Sequence, residues 1–137
     1  MYLSLIPAEA KHSFLSLSYL IAAADGVFEQ SEQELIESYC DEMFVFPTPE
    51  DQNASLEQAL QSLCSVCDEA EKRIVLFEAL GLALCDNDYD KKEQEIIQKT
   101  ANALGLSDDF CRQCESILKE YFSLQHRINT LVLQEPS

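Results

Sequence analysis

Apolar residues recur along this chain at steps of three and four, broken by a few short polar segments, and that period predicts helices throughout. Residues 8–24 read as a first helix, opened by Pro7 and carrying Phe14, Leu15, Leu17, Leu20 and Ile21 on a broad apolar face. Asp25-Gly26 stops it, because glycine reaches the left-handed conformation that closes helices. Ser31 with Glu34 predicts a capping box for a second helix running to Phe44, with Leu35, Ile36, Tyr39 and Met43 on one side. Pro47 and Pro49 predict a loop over 45–53, followed by a third helix over 55–63 and a short break at 64–67. A fourth helix, 68–84, is apolar almost all round beyond Arg73, as expected of a helix in the middle of a bundle.

Asp86-Asn87-Asp88-Tyr89-Asp90 leads into a fifth helix, with Asp90 and Glu93 as its capping pair and Ile96, Ile97, Ala101 and Leu104 facing inward. At 104–107, Leu-Gly-Leu-Ser forms a junction in which Gly105 ends one helix and Ser107 caps the last, 108–131. The expectation is an all-α bundle of about six to seven helices, forming one domain over 1–137.

Composition supports this picture and narrows the partners. Only 3 Gly and 4 Pro occur in 137 residues, which suits helices on short connections. The longest apolar run, Ile74 to Cys85, spans 12 residues and contains Glu78, well short of the roughly 20 apolar residues a membrane helix needs. Residues 1–10 carry no basic group of a secretory signal, so the expected location is the cytoplasm, with the 6 Cys as reduced thiols. Acidic residues outnumber basic ones 25 to 9, a net charge of −16, which repels nucleic-acid phosphates and anionic lipid. Cations and basic protein segments remain as fitting partners.

Laying residues 25–36 on 86–97 exposes an internal repeat. Asp25 meets Asp86, Phe28 meets Tyr89, Glu32 meets Glu93, and Gln33-Glu34 meets Gln94-Glu95. The offset of 61 residues (86 − 25) occurs once, so this is one duplicated helix–acidic loop–helix unit, about 8–45 and 68–105, and not a solenoid. A pseudo-twofold arrangement is expected. The chemistry of such a loop favours cations: the incoming helix ends in partnerless carbonyls at its negative dipole end, and carboxylates sit on both sides. Hard ions such as calcium, magnesium or manganese take clustered oxygen ligands of this kind. The same residues are also ordinary helix caps and first-turn acids, which need no ligand. An EF-hand is excluded, because counting from Asp86 its glycine and twelfth-position glutamate would be Lys91 and Ile97.

The segments Ala23-Ala24-Asp25-Gly26-Val27-Phe28 with Glu32, and Leu84-Cys85-Asp86-Asn87-Asp88-Tyr89 with Glu93 and the downstream Leu-Gly-Leu-Ser, resemble the TerB-like family. That family includes tellurite-resistance TerB and the N-terminal domain of the DjlA co-chaperone. The likeness extends over roughly residues 10–122, with Asn87 standing where the family prefers glycine and no Leu-Gly-Leu-Ser in the first copy. The resemblance implies a helical bundle with internal pseudo-symmetry, a divalent-metal site at Asp25, Glu32, Asp86 and Glu93, and a non-enzymatic accessory role in stress response or membrane-linked complexes. Asp88 and Asp90 enrich the second loop and join the candidate ligands.

Other motifs carry less. Cys64/Cys67 and Cys111/Cys114 have zinc-pair spacing but lack the turns of zinc knuckles, and Cys111 and Cys114 share a helix face with Ile117, Leu118 and Tyr121; zinc is disfavoured. His12 and His126 lie far apart, and no phosphate loop, nucleophile elbow or His-Glu-x-x-His pattern occurs, so no enzyme is expected. Glu78, alone among apolar neighbours, is expected to pair with a base such as Arg73 or to sit partly exposed. Two functions remain: cation binding at the acidic loops, or a co-chaperone-like protein-interaction module docking a basic partner on the acidic surface without metal.

Overall fold

The computed structural model describes residues 1–24, 26, 28–86 and 88–134. Two short 3-10 turns, Leu3–Leu5 and Ala8–Ala10, precede seven α-helices: α1 (Lys11–Ala22), α2 (Gln30–Met43), α3 (Pro49–Asn53), α4 (Leu56–Val66), α5 (Glu69–Leu84), α6 (Lys91–Ala103) and α7 (Asp108–Leu133). No strand occurs among the described residues, and none of the helices is long and apolar enough to cross a membrane. The all-α expectation holds.

Capping explains most of the boundaries. Thr48, Ser55, Asp68, Asp90 and Ser107 each accept a hydrogen bond from a backbone N–H of the first turn that follows, which starts α3 to α7. Gly105, at φ 69°, closes α6 in the left-handed conformation, and the Leu106 N–H bonds back to the Ala101 carbonyl at 2.9 Å.

Three local expectations need correction. Residues 8–10 form a 3-10 turn, so α1 starts at Lys11. The predicted loop 45–53 contains α3: Pro49 takes the first helical position, where it has no N–H to lose, and the Asp51 carboxylate accepts from the Thr48 N–H at 2.8 Å. Asp51 also meets Nδ1 of His12 at 2.9 Å, fastening α3 to α1. Finally, Ser31 and Glu34 do not cap α2. The helix begins earlier, placing Glu32 in the third helical position, where its carboxylate accepts from the Glu29 N–H at 3.1 Å.

α1 and α5 form the middle of the bundle. α1 packs against α2 to α6, and α5 carries α6 and α7 on its other sides. From Val75 to Leu84, α5 is buried at nearly every position, so its almost all-round apolar character has an immediate use. Phe14 of α1 is fully buried and lies 5.4 Å, ring to ring, from Tyr39 of α2.

Glu78 in α5 is buried, and its partner is not Arg73. Its carboxylate receives the Met1 ammonium at 2.9 Å and the Tyr2 N–H at 3.0 Å, while Glu42 takes the Leu3 N–H at 2.6 Å and a second contact to Met1 at 3.1 Å. Two carboxylates thus hold the first three residues on α2 and α5. Glu78→Ala strands the Tyr2 N–H, leaves the Met1 ammonium to Glu42 alone, and is expected to cost about 2 kcal/mol, read from the urea midpoint. Glu78→Gln, which keeps an acceptor, should lose less than half of that.

Candidate functional site: the converging acidic loops

Each acidic loop leads into a helix opened by a carboxylate capping box. After α1 the chain turns through Gly26, at φ 83°, and its N–H bonds the Ala23 carbonyl at 3.0 Å. Glu29 and Glu32 then open α2. After α5, Asp86 accepts the Asp88 N–H at 3.0 Å, a local turn that brings the chain to Asp90. Asp90 accepts the Glu93 N–H at 2.8 Å, and Glu93 returns to the Asp90 N–H at 3.3 Å. Glu29 and Asp90 are separated by the same 61 residues as Glu32 and Glu93. That correspondence was present in the repeat, and it identifies Glu29 as a cap more reliably than the Ser31/Glu34 pattern does.

Of the six acidic residues expected to form the site, Glu32 and Glu93 are the inner pair, 2% and 1% exposed. Asp86 and Asp90 are half-buried beside them, Asp88 is exposed, and Asp25 lies outside the described residues. One oxygen of Glu93 is spent on the Asp90 N–H; the other, Oε2, is buried with no hydrogen-bond partner among the described residues. Burial, followed by the charges of Asp86, Asp90 and Glu32, pushes the Glu93 carboxyl up to about 8, against the backbone hydrogen bond from Asp90. Glu32 acting on Glu93 brings the first loop to the second.

Cys85 marks the same meeting point. Burial, followed by Asp86, Glu32 and Glu93, raises its thiol to about 12, while a hydrogen bond from Ser31 works the other way. The sequence pattern marks Ser31 only as a helix cap and Cys85 only as a flank of the second acidic segment, and sets neither beside the carboxylates. Their closeness is tertiary, joining the C-terminus of α5 to the N-terminus of α2. Aromatic residues flank the pair: Phe28 lies 6.2 Å from Tyr19, and half-buried Tyr89 borders an open cleft of about 820 Å³ shared with Glu115, Lys119 and His126 of α7.

A buried carboxylate oxygen with no donor, beside a second buried carboxylate, can take either a proton, which leaves the group neutral, or a cation. Three carboxylates set as a finished metal cage are not found among the described residues. All six cysteines are free thiols, with Cys67 on the C-terminus of α4 and Cys114 in the core beneath α7. Burial raises both to about 11, so these two Cys-x-x-Cys members stay protonated near neutrality.

Compared with protein families, the chain matches the one described as "Tellurite resistance protein TerB" over residues 42–116. The matched span includes the second acidic loop and ends on α7; the first loop lies before it. Neither the curated proteins nor the solved structures compared give a match.

Proposed function

The chain belongs to the TerB family, and from that premise we propose that it is a non-enzymatic domain binding one divalent cation where its two acidic loops converge. Glu32 and Glu93 are the inner ligands, with Asp86, Asp90 and Asp25 completing the oxygen set and Asp88 supporting the turn. Calcium, magnesium or manganese fits these hard donors; zinc would prefer thiolates, and burial keeps Cys67, Cys85 and Cys114 protonated. The two loops act as copies of one unit, and the bound ion serves an accessory role in stress response.

The observation that carries this reading is Oε2 of Glu93, buried, without a donor among the described residues, and within the field of Glu32 and Asp86. A cation would neutralise that field and supply the missing partner. Its chemistry would be electrostatic: it would bind carboxylate oxygens and fix the two loops together.

The test is a thermal melt of chelated protein with added calcium, magnesium or manganese. A bound ion at one hundred times its Kd adds about 2.7 kcal/mol, a rise of several degrees for a domain of this size. The rise should disappear in Glu93→Gln and in Asp86→Asn. If no ion moves the transition, the cation reading is abandoned in favour of docking a basic protein segment. The net charge of −16 favours that second reading, whose mark is binding that weakens steeply with salt.

A further inference from the structure

The C-terminal half of α7 leaves the bundle. Cys114 and Leu118 are the buried residues of this helix, and α5 is its main contact. Beyond that contact, Ile117, Tyr121, Leu124, Ile128 and Leu131 remain 37% to 80% exposed. Cys114, Ile117, Tyr121, Leu124, Ile128 and Leu131 follow one another at alternating steps of three and four. This is an unbroken heptad seam, with Cys114, Tyr121 and Ile128 at a and Ile117, Leu124 and Leu131 at d. From Ile117 to Leu131 the seam is exposed, with Cys114 buried at its base, and an exposed seam of this length on one helix is a surface made for another helix.

We propose that this seam pairs with the same seam of a second copy, antiparallel, about a twofold axis passing between Phe122 and Ser123. In that register Tyr121 meets Leu124 of the second copy, Ile117 meets Ile128, and Cys114 meets Leu131. Three observations select this occupant. The first is charge. Glu120 and Arg127 occupy successive g positions, and antiparallel helices set g against g, so Glu120 of each copy faces Arg127 of the other. A parallel pair would instead set them against the e positions, Gln125 and Val132, with no charge to meet.

The second observation is shape. Beside Cys114 at the base of the seam is an apolar notch of about 380 Å³, lined by Tyr2, Ile74, Phe77, Phe110 and Ile117. The antiparallel register delivers Leu131 of the second copy to this notch. A twofold axis fills both notches with one interface, which is closed and self-complementary.

The third is long-range repulsion. Each chain carries −16, yet residues 117–134 hold only Glu120 among acids against Lys119 and Arg127. The tail is therefore the face on which two copies approach with least repulsion. Antiparallel pairing also displaces the two acidic bodies along the helix axis by about 30 Å, several Debye lengths at physiological salt.

Sedimentation of the full chain from low micromolar to sub-millimolar concentration tests the proposal. A monomer–dimer equilibrium is expected, abolished in L124E/I128E, whose melting curve should match that of the parent at the low concentrations where the parent is monomeric, because both side chains are exposed in the monomer. Glu120→Arg and Arg127→Glu should each weaken the dimer about tenfold, since each breaks two symmetric pairs worth somewhat under 1 kcal/mol apiece. The double reversal should recover most of that loss. A chain that stays monomeric, or a dimer indifferent to the reversals, overturns the proposal. So does a monomer that adsorbs to phosphatidylcholine vesicles through Leu124 and Ile128, which would assign the seam to lipid.

Discussion

With a chelator present, Glu93→Gln is expected to be more stable than the parent by about 2 kcal/mol at pH 8 and close to it at pH 4. The sign follows from the two ends of the titration. An unfolded glutamate loses its proton near 4.5, whereas the folded Glu93 carboxyl holds it to about 8. Between those values the folded chain binds a proton that the unfolded chain has released, so stability falls as pH rises through the window. The group's contribution is fully present below 4.5 and lost as pH passes 8. Each pH unit is worth about 1.4 kcal/mol at most, and water around half-buried Asp86 and Asp90 screens the field, which brings the expected loss to about 2 kcal/mol. Glutamine keeps the shape and removes the charge. Urea titrations of both proteins at the two pH values measure the difference, and equal stability at pH 8 would show that Glu93 is not held in a hostile field. The same substitution should remove any cation-induced rise, so stability and binding move in opposite directions.

The second large effect lies in the core. Phe14→Ala is expected to cost about 3–5 kcal/mol, the range for emptying a buried aromatic site. Phe14 is 0% exposed and packs on Tyr39, whose hydroxyl donates to the Glu78 carbonyl at 2.8 Å. The vacated volume is faced by Tyr39 of α2, which cannot close on it without dragging that hydrogen bond along. Phe14→Leu should cost about 1–1.5 kcal/mol, because most of the volume survives. With domains typically stable by about 5–15 kcal/mol, the alanine variant should show a much lower urea midpoint with an unchanged slope. A loss below about 1 kcal/mol would mean that the helices collapse onto the gap.

These two positions also show what was legible in the sequence. Phe14 could be assigned to the core from its place in a helical apolar period, and the all-helical architecture follows from the same period repeated. Asp90 and Glu93 could be assigned because capping is local, acting over three residues. Where two local signals competed, as at Ser31/Glu34 against Glu29/Glu32, tertiary burial of Glu32 decided, and the sequence pattern alone does not contain that burial. α3 was hidden because proline reads as a breaker unless the residue before it is recognised as a cap. The partner of Glu78 was illegible for a different reason: Met1 is 77 positions away and its ammonium belongs to no side chain. The convergence of the two acidic loops is likewise a property of how α2 meets α5. The repeat offset placed like beside like along the chain and said nothing of their distance in space.

The paired caps have a thermodynamic consequence of their own. Glu32 and Glu93 each tie one carboxylate oxygen to a main-chain N–H at the start of a helix. A glutamate fixed in this way gives up about 1.5–2 kcal/mol of side-chain freedom when the protein folds, so that ordering need not be repeated when a ligand arrives. The second oxygen of Glu93 is thereby held in place by backbone geometry before anything binds to it, which is preorganisation in the strict sense. For the cation binding proposed above, affinity would then depend on residues that never touch the ligand, and the integrity of the first turns of α2 and α6 would become part of the binding constant.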